Sequence, residues 1–171
     1  MAVRAGRLLG FAIAGVAVMS LSTVPLSWLT VSSSLPDLPT TGDLSTRSSG
    51  LDLGWGWGML PCLATAAVLG VLGGVRNRAA VAAVAAIPAL VAVPLLVLAV
   101  LPGITNPTLP GTKGVPPQIA AVLDRNAEAA LEAGWFAAML LTLLAVVLGA
   151  LAFALAARQR RPSDPAAVHH H

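Results

Sequence analysis

Charge is scarce in this sequence. Ten basic and seven acidic side chains among 171 residues make charged residues only 10% of the total, against 57% hydrophobic residues and a mean hydropathy of +0.84. A soluble domain carries about 25% charged and 45–50% apolar residues, so this chain has too little polar surface to cover a globule in water. The same balance excludes a disordered chain. Cysteine is limited to Cys62, which excludes an intrachain disulfide and any paired-cysteine redox or zinc framework. Histidine occurs only as His169, His170 and His171, which read as a purification-tag remnant outside the fold. Setting those aside leaves no histidine for haem ligation, metal binding or acid–base chemistry.

What is present is long uncharged sequence. Residues 8–36, 53–75, 79–112 and 133–157 carry no charge. A helix needs about 20 apolar residues to cross ~30 Å of hydrocarbon, and each run supplies them. The spans are expected at about 8–29, 57–75, 79–101 and 134–157, with loops at 30–56 and 102–133 on one side. Pro102-Gly103 is expected to stop the third span, and the run from Arg158 to Pro162 the fourth. The first apolar stretch is longer than a secretory h-region and no small-x-small site follows it, so it is expected to be retained. The expected fold class is all-α: an integral membrane four-helix bundle forming one domain over 1–168, with two outer loops, the second carrying an amphipathic helix.

Basic residues segregate by side. Arg4, Arg7, Arg76, Arg78, Arg158, Arg160 and Arg161 face only one acid, Asp164. The two loops hold Arg47, Lys113 and Arg125 against Asp37, Asp43, Asp52, Asp124, Glu128 and Glu132. Basic segments resist translocation, so both termini and the 76–78 turn are expected in the cytoplasm of a bacterial cell, with the chain multi-pass in its plasma membrane. No basic cluster is interleaved with aromatic residues, so no nucleic-acid partner is expected. Trp28, Trp55, Trp57 and Trp135 fall at the outer ends of the expected spans. Indole favours the headgroup level, which makes these four a candidate interfacial belt or rim for lipid or a partner helix.

The first loop is rich in Ser, Thr and Pro and reads as irregular or as short extended pieces. The second is proline-rich as far as Pro117. Beyond it, Ile119, Val122, Leu123, Ala127, Ala130 and Leu131 recur at three- and four-residue steps, which predicts a helix over 118–132 running straight into the fourth span. Asp124, Glu128 and Glu132 then form an acidic stripe: a solvated face, or a docking site for a basic partner. They lack the glycine-containing loop of a calcium site, and no metal is expected.

The span interiors hold no ionisable side chain, which argues against ion-coupled transport. Ser20, Ser22, Thr23, Thr65 and Thr142 are expected to bond to backbone or to neighbouring helices, because a serine nucleophile would need a base that is not there. No catalytic residue and no cofactor is therefore expected. Pro61, Pro88 and Pro94 are candidate helix kinks, the last two placed to open a groove. Gly70 and Gly74 make a GxxxG pattern suited to close helix approach.

The richness in Ala, Val, Leu and Arg, with one lysine and no tyrosine, matches high-GC bacteria. Trp28 at the end of span one, the Ser/Thr/Pro outer loop, the Arg76-Asn77-Arg78 turn and the basic tail from Arg158 to Arg161 give the chain its family likeness. Its architecture resembles that of four-span actinobacterial membrane proteins associated with tryptophan-biosynthesis operons. That family supplies no catalytic residue to carry over. The functional expectation is a non-enzymatic accessory or assembly subunit of a cell-envelope complex, partnered by the lipid bilayer and by other membrane subunits or copies of itself. The alternative is a small transporter or lipid-handling protein.

Overall fold

The computed structural model describes residues 2–33, 44–107 and 116–159. In chain order these form α1 (Ala2–Ser22), β1 (Ser27–Ser33), β2 (Leu44–Ser49), α2 (Gly56–Val75), α3 (Ala79–Val84), α4 (Ala86–Thr105), α5 (Pro117–Arg125), β3 (Ala127–Leu131) and α6 (Ala133–Gln159). Four helical stretches are long and apolar enough to cross a membrane: Ala5–Ser22, Gly56–Val75, Ala79–Thr105 and Ala133–Gln159. The strands and α5 gather at one end of the bundle, called here the sheet end. The Arg76–Arg78 turn, the start of α1 and the end of α6 lie at the other, the turn end.

Two helix boundaries differ from expectation. The first helix stops at Ser22 rather than near Leu29. Pro25 disfavours helical geometry at Val24, and the chain turns through Thr23 to Leu26 into β1. The third stretch runs past Pro102 to Thr105 instead of stopping there. The Thr105 hydroxyl donates to the Leu101 carbonyl at 2.9 Å, binding one of the last carbonyls of the helix. This stretch is also interrupted at Ala85. Pro88 explains the position, since a proline there has no N–H for the Val84 carbonyl and its ring crowds that group.

The bundle is built with its small residues inside. One buried cluster is Ala17, Ala66, Ala89 and Ala145, and another is Ile13, Ala82, Ala85 and Ala152. The large side chains point outward: Leu8, Val75, Leu140 and Phe153 are each 67–70% exposed. Helix α1 meets α2 at the expected glycines. A Cβ on Gly10 would sit 2.7 Å from the Gly70 carbonyl oxygen, so only glycine permits this approach. Across the bundle, the fully buried Ser20 and Thr142 hydroxyls lie 3.0 Å apart, and Thr142 Oγ1 donates to the Ala138 carbonyl at 2.7 Å.

The all-α expectation is corrected at the sheet end, where β2-β1-β3 form an antiparallel sheet with β1 in the centre. β1 pairs Ser33 with Leu44 on one side and Ser33 with Ala127 on the other. The expected helix over 118–132 is likewise corrected. Helix α5 ends at Arg125, Asn126 caps it, and Ala127–Leu131 is a strand. Alanine, glutamate and leucine favour helix locally. The central strand β1 offers that segment a full edge of unpaired backbone groups, and pairing with it outweighs the local preference.

Candidate functional site

Trp28 organises the sheet end. The register of β1 against β2 shifts between Ser27 and Leu29, leaving Trp28 as the extra residue of a bulge. The bulge breaks the in–out alternation, so that Trp28 and Leu29 are both buried. The Trp28 ring packs among Val24, Met59, Leu63, Leu96 and Ala138, where α2, α4 and α6 converge. Its indole N–H donates to the Thr23 carbonyl at 2.9 Å, and its own carbonyl accepts from the Glu132 amide at 2.9 Å. Gly50 lies flat against the ring; a Cβ there would stand 2.7 Å from it.

The four tryptophans therefore do not share one environment. Trp28 is fully buried, whereas Trp55 and Trp57 are more than half exposed at the start of α2. Trp135 is half-buried, donates its N–H to the Leu96 carbonyl at 3.1 Å and meets Phe136 edge-on at 5.2 Å between ring centroids. Of the four rim candidates, Trp55 and Trp57 are exposed, Trp135 is partly so, and Trp28 is buried where it locks the sheet to the helices.

One face of the sheet is covered. Leu29 and Val31 of β1 pack with Leu123 of α5, against the half-buried Ala127, Ala129 and Leu131. The opposite face is polar. Across the strands it presents Arg47, Thr30 and Ala130 in one row and Ser45, Ser32 and Glu128 in the next. Thr30 Oγ1 donates to Glu132 Oε1 at 2.5 Å, tying the end of β3 to β1. The acidic stripe is accordingly split. Asp124 stays on α5, Glu128 is exposed on β3, and Glu132 is bonded beyond it. Sequence reasoning did not single out Arg47 or Thr30 as site residues; Thr30-Val31 in β1 and Thr46 in β2 were the available strand signal. Asp52 accepts from the Ser49 amide and hydroxyl, both at 2.8 Å, which holds its carboxyl below the usual range and fixes the turn into α2.

A second feature lies at the turn end. An apolar groove of about 840 Å³ runs between α3/α4 and α6. Ala83, Ile87, Leu90, Val146, Ala150 and Phe153 line it. Pro88 falls in the first turn of α4 beside this groove, while Pro61 and Pro94 sit within α2 and α4 away from its lining. Among the described residues, no group of three His, Cys, Asp or Glu side chains is placed to hold a metal ion. Comparison with known protein families and with curated proteins finds no match for this chain.

Proposed function

We propose that this is a multi-pass protein of a bacterial plasma membrane, with both termini in the cytoplasm and the sheet outside. Its role is that of a non-enzymatic accessory or assembly subunit of a cell-envelope complex. Insertion is supported by the inverted packing, with alanine and glycine inside and Leu, Val and Phe outside, since helices in lipid associate through small residues. Orientation is supported by the arginines at the turn end. The likeness to four-span proteins found with tryptophan-biosynthesis genes agrees with this reading and adds no site residue.

The observation that carries the subunit reading is the sheet itself. It is pinned to the helices by Trp28 and Glu132, covered on one face by α5, and polar on the other. A rigid polar platform of both charge signs, Arg47 on β2 and Glu128 on β3, suits docking of a protein domain better than contact with lipid tails. The test is mild-detergent co-purification with Arg47→Glu and Glu128→Arg combined. Loss of a stoichiometric partner, with the yield of folded protein unchanged, is expected. An unaltered partner profile would remove the sheet face as the docking site. The groove between α3/α4 and α6 favours a second reading, in which the protein handles lipid or another hydrophobe.

A further inference from the structure

The turn-end groove has an apolar body and a basic mouth. Its lining ends at Ala80 on α3 and at Ala156 and Ala157 on α6. Arg78 is the N-cap of α3, two residues before Ala80, and Arg158 directly follows Ala157. Both side chains are exposed, as is that of Arg76 in the adjoining turn. The acids among the described residues, Asp52, Asp124, Glu128 and Glu132, all lie at the sheet end, so none of them neutralises this mouth. The volume, about 840 Å³, is within the range of about 300–1,000 Å³ typical of ligand sites. Ala83, Ala86, Gly149 and Ala150 set the floor back, while Ile87, Leu90 and Phe153 stand out as walls.

We propose that this groove binds one anionic phospholipid of the cytoplasmic leaflet, with an acyl chain between α3/α4 and α6 and the phosphate against Arg78 and Arg158. The charge decides the occupant. A helix from a second copy inserted the same way would fill the apolar body equally well, but it would bring its own arginines to that level and none of the described acids. A phosphate gains charge-assisted hydrogen bonds from both. The site rests on the membrane-spanning reading and is independent of any partner at the sheet.

The test is native mass spectrometry of the detergent-purified protein, titrated separately with phosphatidylglycerol and phosphatidylcholine. Phosphatidylglycerol is expected to bind at one saturable site, roughly tenfold more tightly than phosphatidylcholine, in keeping with the attraction of basic residues for anionic headgroups. Arg78→Gln with Arg158→Gln should abolish that preference while still retaining lipid. Ala150→Trp, placed on an exposed groove position, should abolish saturable binding of either lipid. A thermal melt checks that each variant stays folded. Equal binding of both lipids by the native protein would overturn the proposal, as would Ala150→Trp binding normally. A dimer that Ala150→Trp dissociates, with no saturable lipid, would assign the groove to a second copy. Failure of the native protein to take up any lipid would also overturn the proposal, whereas recovery of the protein in the soluble fraction of cells would overturn the membrane-spanning reading on which it rests.

Discussion

Trp28 shows how much one residue decides here. Its position was readable as the end of an apolar run, and indole ordinarily rests at the headgroup level. The bulge in β1 turns it inward instead, and no sequence periodicity announces a bulge. Trp28→Ala is expected to destabilise the fold by about 3–5 kcal/mol, the usual cost of truncating a large core aromatic. Trp28→Phe should cost less but leave the Thr23 carbonyl without its indole donor. Thermal unfolding in detergent should rank the two in that order. Asp52 gives a prediction in pH. Its carboxyl is held below its ordinary 3.8 by the Ser49 amide and hydroxyl. The folded turn therefore binds its proton less readily than the unfolded chain. The turn keeps this support above about pH 4 and loses it as pH falls through the lowered pKa. Amide exchange at Ser49 should accelerate on acidification through that range. In Asp52→Asn that pH step should be absent.

Among the elements, the uncharged helices were legible and the sheet was not. Length and hydropathy are local properties, so α2 and α6 lie within two residues of their expected bounds. The segment Ala127–Leu131 was misread because its helical spacing is as good as its alternation. Ala127, Ala129 and Leu131 also fit a period of two, and Asn126 is a natural helix terminator. Only the presence of β1, nearly a hundred residues earlier in the chain, decides between them. Leu123 is what holds α5 over the sheet. Leu123→Ser is expected to release α5 locally, at a cost of about 2–4 kcal/mol for removing a buried aliphatic side chain. Hydrogen exchange should rise across 117–131 and remain slow in α1, α2 and α6. Global unfolding in its place would show that the sheet end supports the whole bundle.

For the whole molecule, the two ends differ in chemistry. The sheet end holds the described acids and the three strands, and the turn end holds exposed arginines and the groove. The proposed topology follows from that asymmetry and can be checked directly. In a Cys62→Ala background, Ser48→Cys on β2 should react with an impermeant maleimide added to intact cells. Ser163→Cys, in the arginine-bearing tail, should react only after lysis. The opposite pattern would invert the orientation and place the sheet face, with Arg47 and Glu128, in the cytoplasm.

The sequence by itself determined the number and approximate placement of the apolar helices, their small-residue contacts and the charge difference between the two ends. Each depends on composition within a window of some twenty residues. The close approach at Gly10, Gly70 and Gly74 and the bond between Ser20 and Thr142 needed only the right residue types on facing helices. Tertiary structure decided what the loops become. A strand exists only with a neighbour, and β1 finds its partners in two segments separated by two membrane-length stretches of chain. The burial of Trp28 and the split of Asp124, Glu128 and Glu132 onto different elements follow from strand pairing, where local preference is too weak to choose, and the groove beside the Pro88 break at Ala85 exists only because α6, far along the chain, supplies its other wall.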